Sequence, residues 1–319
     1  MYQALLAEAV LRLGDVAAQS LKPAAAHLFA SARDAGTRML GALEPLVHPD
    51  GQYALVNDTA HGVAPAMKSL LDRFGVPAAQ DLRRTWTLPA GGFSGCRTRD
   101  DRYLMFDAGP IGPDHQPGHG HAGMLSFELS SGGARIVTDT GVLTYASGPA
   151  RSHDRSTAAH NTVEIDGRDQ SEVWGAFRCG RRSSIVSVRT DEGRDGTTLA
   201  GAYRGPGRSG SGSVSHERQI FVNGRVLAFT DTLTAPGDHR ATLRLHLAPG
   251  LQVKRNGRTC TIAGPDRRPI AALAGGDVDW IESSSPYHPE FGREVARPCL
   301  FARAGFRDRL VLKWWLILS

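Results

Sequence analysis

Histidine is concentrated in one stretch of this sequence. Five of the twelve histidines fall between residues 115 and 160, namely His115, His119, His121, His153 and His160. His119 and His121 are two residues apart at the entry to a predicted strand, so their side chains project to the same face. Imidazoles on one face can share a site, so this stretch is the first candidate for a functional site.

A metal site is the first chemistry that this stretch suggests. His121, Asp139 and His160 each lie at or near a predicted strand, in the segments GHGHA, IVTDTG and HNTVEID. Two imidazoles and a carboxylate supply the nitrogen and oxygen ligands that suit zinc. The spacing alone is a weak signal, because a histidine near a strand is more often a hydrogen-bonded structural residue. Both interpretations stay open at this point.

Two kinds of secondary structure must position these residues. Residues 3 to about 43 have apolar side chains at spacings of three and four, which predicts two helices with a break at Pro23. A shorter helix is predicted over Ala66–Phe74. After about residue 86, short alternating segments separated by glycine-rich turns indicate antiparallel strands, about twelve or more of them. The sequence therefore predicts an α+β chain with a helical segment, 1–85, and a large β domain, 86–319.

Composition excludes several classes of protein. With 41% hydrophobic and 22% charged residues and 37 glycines, the chain is globular, neither disordered nor collagen-like. Its four cysteines include no CxxC pair, so neither a zinc ribbon nor a disulfide framework is expected. The longest apolar run, Leu310–Leu318, contains Lys313 and is too short to span a membrane. No signal peptide is visible, and no nucleic-acid partner is predicted.

Two long sequence segments of the β domain are similar to those of a known family. GHGHAGMLSFELSSGGARIVTDTGVLTY, followed by RSTAAHNTVEIDGRDQSEVWGAFRCGRR, closely resembles the heparinase II/III-like family of polysaccharide lyases. HGHA leading into LSFEL, the Asp-x-Gly that follows, and the HNTV block occur in the family's order. The resemblance covers about residues 86–319 as the C-terminal antiparallel β-sandwich. Residues 1–85 resemble the last helices of the α/α-toroid domain, so we expect a chain truncated at its N-terminus.

The resemblance implies roles for individual residues of the two segments. His119, the first histidine of HGH, would be catalytic. The second histidine, His121, would bind a zinc ion together with Asp139 and His160, and this zinc would brace strands rather than activate water. Family members usually have Asp after HGHA, whereas this chain has Gly123. Whatever that carboxylate orients is therefore lost here or supplied elsewhere.

The N-terminus resembles a second catalytic segment of the family. Its catalytic tyrosine commonly lies in SP-x-YH before a long helix, and here Met1-Tyr2-Gln3 precedes ALLAEAVLRL. Tyr2 would then be the catalytic tyrosine, with Gln3 in place of the histidine. The alternative is an ordinary frayed terminal residue.

Other polar residues near the histidines are candidates for substrate binding. Arg151 and Arg155 precede the HNTV strand and could bind carboxylate or sulfate through paired hydrogen bonds, with a solvated or structural role as the alternative in so arginine-rich a chain. Tyr145 is a candidate for lining a sugar subsite, with a place in the core or rim as the alternative. The loop containing Asn57 and Asp58 is predicted to be structural.

The implied function is cleavage of an acidic, uronate-containing polysaccharide by β-elimination, impaired in a chain that lacks most of the toroid. The C5 proton of a uronate is hardly acidic, so the reaction needs a neutralised carboxylate, a base and an acid. Two alternatives are a zinc-dependent hydrolase that uses the same three ligands and a non-catalytic carbohydrate-binding sandwich. By resemblance, the protein would act in the cell envelope or periplasm.

Overall fold

The structure is a computed structural model that describes residues 1–19, 22–78, 85–98, 101–207 and 213–319. It begins with the helices α1, Tyr2–Ala18, and α2, Pro23–Leu43, followed by a 3₁₀ turn at Glu44–Leu46 and by α3, Met67–Phe74. These bounds confirm the two long helices and the shorter helix predicted from the apolar spacing. Within the described residues, no helix is long and apolar enough to cross a membrane.

The first two helices approach each other closely. The buried positions of α1 recur every three or four residues, at Ala4, Ala7, Leu11, Gly14 and Ala17. This spacing places them on one stripe of the helix. A Cβ atom at Gly36 of α2 would lie 2.4 Å from Cγ of Leu11. Glycine at position 36 therefore allows α2 to pack directly on the apolar stripe of α1.

The β domain begins with a five-stranded antiparallel sheet in which each strand pairs with the next. Its strands are β1, Thr85–Leu88; β2, Phe93–Arg97; β3, Tyr103–Asp107; β4, Ser126–Ser131; and β5, Ala134–Val137. The first strand follows residues 79–84, which lie outside the described residues. The predicted domain boundary at residues 85 and 86 falls at this point and stays a prediction.

A ten-stranded antiparallel sheet forms the second layer. Its strands are β6, Val163–Ile165; β9, Ser184–Gly193; β10, Gly196–Pro206; β11, Ser213–Asn223; β12, Val226–His246; β13, Gln252–Asn256; β14, Thr259–Ala263; β15, Pro269–Gly275; β16, Ile281–Glu290; and β17, Arg293–Leu318. Their order is β13-β14-β15-β17-β12-β11-β10-β9, with β16 on β17 and β6 on β12. The remaining elements are a short helix, α4, Pro149–Arg155, and a small hairpin of β7, Val173–Trp174, and β8, Arg178–Cys179.

One apolar core lies between the two sheets. Phe127 of β4 meets Phe229 of β12 at a ring distance of 4.9 Å, and Phe229 stacks on Trp314 of β17 at 3.7 Å. Aromatic side chains from both layers therefore meet in the centre of a β-sandwich, which confirms the predicted fold class. The last strand was expected to be covered on both faces, but Lys313 and Ile317 are exposed and its side chains alternate.

Strand β4 differs from its prediction in a way that matters for the site. The alternation of its sequence predicts one apolar and one polar face, and Phe127 and Leu129 do point into the core. The polar residues Ser126, Glu128 and Ser130 are buried as well. The covering comes from the loop after the helices, because Leu55 and His48 of that loop contact Glu128.

Candidate active site

One carboxylate fixes the loop that joins the helices to the sandwich. Glu128 accepts hydrogen bonds from the backbone N–H groups of Leu55, at 2.9 Å, and Asp139, at 3.1 Å. It also pairs with His48 at 2.6 Å and Arg135 at 3.2 Å. Burial opposes ionisation, but these partners lower the pKa of Glu128 to about 2. The ionised carboxylate therefore joins the loop to Asp139, the second residue after β5.

Three residues further along the same loop, Asp58 contacts three polar side chains. Its buried carboxylate forms a two-contact ion pair with Arg151, one contact being 2.9 Å. It also lies 2.8 Å from Nδ1 of His119 and 2.8 Å from Nε2 of His121. Burial opposes ionisation, but hydrogen bonds from His121 and Arg151 lower the pKa of Asp58 to about 2. One ionised group thus fixes both histidines of the HGH motif.

The contact with Asp58 sets the protonation pattern of His119. An ionised carboxylate only accepts hydrogen bonds, so Nδ1 of His119 carries the proton. In the neutral ring, Nε2 is then left with a free lone pair. The side chain is 38% exposed, so this ring is accessible to a ligand.

Two tyrosines complete the exposed side of the site. The ring of Tyr2 lies 4.6 Å from the ring of His119. Its hydroxyl group is 2.8 Å from that of Tyr145, and the Tyr145 ring is 5.9 Å from His119. Burial and the hydrogen bond with Tyr2 raise the pKa of Tyr145. The structure therefore brings together the two predicted catalytic residues and one predicted substrate-binding residue.

The three predicted zinc ligands also lie side by side. Nδ1 of His160 is 2.7 Å from the carboxylate of Asp139, and the rings of His121 and His160 are 5.5 Å apart. Nδ1 of His121 and Nε2 of His160 are buried without a hydrogen-bond partner. As the side chains stand, no three His, Cys, Asp or Glu residues among those described are arranged as metal ligands.

Gly123 makes room for His160. A Cβ atom at position 123 would lie 2.9 Å from Cγ of the His160 ring, closer than side chains pack. Burial opposes the charged form of the same ring, but the Asp139 carboxylate raises the pKa of His160. Glycine at position 123 therefore leaves the space that the His160 ring occupies.

The two predicted substrate-binding arginines lie behind the site. Arg151 is fully buried, and besides Asp58 it donates to the carbonyl oxygen of Ala176 at 2.8 Å. Arg155 is 1% exposed and donates to the carbonyl oxygens of Gly120 and Arg178. The two arginines are four residues apart in α4, so they lie on the same face of the helix, and both are buried. In this structure they support the residues that surround the cleft.

A cleft of about 220 Å³ opens beside these residues, between the helical segment and the sandwich. Tyr2, Asn57, Asp58 and His119 contribute to its polar side. Much of the remaining lining is apolar and comes from both parts of the chain, including Leu43, Leu46, Phe93 and Ile111. The predicted reacting groups thus lie in a concave site of the kind that binds small ligands and sugars.

Sequence reasoning missed the role of Asp58. The loop was predicted to be structural because its Pro-Asp-Gly turn suggested nothing further. The available signal was a single Asn-Asp pair between two apolar segments, which is compatible with many loops.

Solved structures with a similar fold include the heparan sulfate lyase HepC from Pedobacter heparinus, with a TM-score of 0.75 and 14% identity. That comparison covers 99% of this chain and 51% of the other. A structure of heparinase III has a TM-score of 0.68 and 13% identity, covering 92% of this chain and 50% of the other. At these identities the likeness shows the fold, and the chain spans about half the length of each protein.

Sequence comparison goes further than the fold. No curated protein sequence matches the chain. Residues 80–300, however, match the sequence profile described as heparinase II/III-like, C-terminal. The matched region includes His119, His121, Asp139 and His160. Because it covers more than half of the sequence, the chain belongs to the heparinase II/III-like family.

Proposed function

We propose that the protein is a polysaccharide lyase that cleaves a uronate-containing acidic polysaccharide by β-elimination. The observation that carries this proposal is the placement of Tyr2, His119 and Tyr145 in contact with one another at the edge of the cleft. A base and a hydroxyl acid held side by side are the groups that this elimination requires.

In the proposed reaction His119 is the general base and Tyr2 is the general acid. Nε2 of His119 removes the C5 proton, and the electron pair of that C–H bond forms the C4–C5 double bond. The C4–O bond breaks, and the leaving oxygen takes the hydroxyl proton of Tyr2. Asp58 keeps Nδ1 of His119 protonated and stabilises the imidazolium that forms.

Asn57 is the group that we assign to the substrate carboxylate. Its side-chain oxygen accepts the backbone N–H of His121 at 3.0 Å, which fixes the orientation of the amide. The residue lines the cleft beside Tyr2 and His119. Its amide N–H groups can therefore donate to a carboxylate and stabilise the enolate-like anion that forms when C5 loses its proton.

Zinc is part of the same proposal. The buried nitrogens of His121 and His160 that lack partners fit a cation that takes a lone pair from each, and Asp139 adds a carboxylate. Zinc there would hold together the strands that present His119. We expect near-equimolar zinc in the purified protein and loss of zinc in His160→Ala. His239→Ala, which removes a histidine that is paired with Asp166 instead, should retain the metal.

The remaining assignments follow from placement. Tyr145 contacts the substrate on the exposed side of the site, where its hydroxyl group meets that of Tyr2. Arg151 does not contact the substrate but holds Asp58 in place, and Arg155 holds the backbone of Gly120. A protein with this substrate would act where acidic polysaccharide is found, and we propose the cell envelope or periplasm.

The test is the ultraviolet absorbance of the unsaturated product, measured with heparan sulfate, alginate and hyaluronan. Tyr2→Phe and His119→Ala should each lower the rate by roughly 10²-fold or more. Ile281→Ala, an exposed residue on β16, serves as the control and should leave the rate unchanged. New reducing ends without unsaturation would instead indicate a hydrolase. Binding of polymer without either product would indicate a carbohydrate-binding module.

A further inference from the structure

Most of the exposed aromatic side chains of the described chain lie in one region. Four Tyr, Trp or Phe side chains are more than a third exposed: Tyr2, Trp174, Phe177 and Phe291. The other described aromatic residues are buried or half-buried. Three of the four belong to one set of ring contacts around His119 and Tyr145. Exposed aromatic groups that gather in one place indicate a binding surface.

Phe177 is held beside the catalytic histidine by the turn between β7 and β8. Its ring lies 5.5 Å from His119 and 5.3 Å from Tyr145. Arg151 donates to the carbonyl oxygen of Ala176, and its guanidinium carbon lies 5.4 Å from the Phe177 ring. The ring is nevertheless 43% exposed, so the buried arginine supports it from one side while another side faces solvent.

Phe291 reaches the same surface from a different element. It lies in the turn between β16 and β17, where Gly292 adopts a positive φ of 76° and donates its N–H to the carbonyl oxygen of Leu143 at 2.8 Å. This contact ties the turn to the segment that carries Tyr145. The Phe291 ring meets the Tyr145 ring at 4.9 Å and is 38% exposed.

We propose that Phe177, Tyr145 and Phe291 form a stacking subsite for a pyranose ring of the polysaccharide, the sugar next to the uronate that reacts at His119. Phenylalanine has no polar group to offer, so the two outer rings select the C–H face of a sugar rather than a carboxylate or sulfate. Tyr145 links the subsite to the reacting groups through Tyr2. This inference rests on the proposed function for the identity of the polymer, but it concerns binding and not turnover.

The test measures binding of heparan sulfate and alginate hexasaccharides to the full chain by calorimetry. Phe177→Leu and Phe291→Leu keep an apolar side chain and remove the ring, and each should weaken binding roughly threefold to tenfold. Phe177→Tyr and Phe291→Tyr keep the ring, and these variants should bind the hexasaccharides as tightly as the wild-type protein. Ile281→Ala, 43% exposed on β16, is the control for loss of an exposed apolar side chain.

The outcomes separate this inference from the proposed function. Binding that depends on the rings in a protein without lyase activity supports the subsite and counts against the lyase. Lyase activity with unchanged binding and KM in both leucine variants overturns the subsite and leaves the lyase standing. Where activity is measurable, the leucine variants should raise KM and leave kcat unchanged. No binding of either hexasaccharide overturns the subsite.

Discussion

Asp58 determines how protons are arranged around His119, because its ionised carboxylate accepts from His119, His121 and Arg151 at once. A protonated Asp58 would lose half of its acceptor capacity and the charge that holds Arg151. The buried arginine would then lack its anion, which is costly in a low-dielectric interior. The state of the proposed catalytic histidine and the stability of the protein therefore depend on the same group.

Asp58→Asn should lower the free energy of unfolding by about 2 kcal/mol near neutral pH, from the shift of the Asp58 pKa from 3.8 to about 2. A pKa lowered by folding gives stability that is present above pH 4 and is lost as pH falls toward 2. The difference between the original protein and the variant should therefore narrow over that range in urea unfolding experiments. A difference that stays constant would show that Asp58 is not the titrating group.

The residues of the site differ in how far the sequence could predict them. His119 and His121 share one short motif, the predicted strands already offered Asp139 and His160 as ligands beside His121, and the resemblance to a family added Tyr2. Asp58 reaches His119 across 61 residues of sequence, through a loop whose path depends on tertiary packing. The arginines were predicted to face substrate because their charge suggests it, but the ion pair with Asp58 and the backbone acceptors directed them inward.

Strand β4 connects the two parts of the chain at the scale of elements. One of its faces supplies Phe127 and Leu129 to the sandwich core, and the other supplies Glu128 to the loop from the helices. Glu128 contacts the backbone of Leu55 and Asp139, so a single strand sets the positions of both the Asp58 loop and a proposed zinc ligand. Periodicity predicted the strand and its apolar face, but it could not show that a distant loop covers the polar face.

Glu128→Gln should destabilise the protein by about 3 kcal/mol, because it leaves the buried His48 and Arg135 without a full negative charge. Glu164→Gln is the matched control, since Glu164 pairs with Arg244 on a partly exposed face, and a loss of about 0.5 kcal/mol is expected. Both values can be measured by urea unfolding. Equal decreases in the free energy of unfolding of the two variants would show that the buried Glu128 pairs contribute no more to stability than the Glu164 pair does.

At the scale of the whole molecule, the two larger apolar cores of the described chain differ in size. Among the described residues, twelve buried residues form the core of the helical segment, whereas the core of the sandwich includes residues from strands of both sheets. The overall order of helices and strands was predictable, because apolar periodicity is a local property. The pairing of β12 with β17 was not predictable, since these strands are separated by β13 to β16 in the sequence.

Hydrogen exchange should reveal the difference between the two cores. Local opening costs less where fewer apolar contacts are lost, so amides of α1 and α2 should exchange before those of β12 and β17. Exchange followed by mass spectrometry of peptides from each element would measure this. Identical protection across both segments would show that the chain opens as one cooperative unit.

The close fit of Gly123 against His160 has a consequence for how this sequence can change over generations. A single substitution that placed an acidic residue at position 123 would require the ring to shift, so we expect it to be disfavoured while His160 keeps its present place. A shift of the ring would have to come first. The two positions are therefore expected to co-vary among descendants, and the order in which substitutions arise would decide which of them survive.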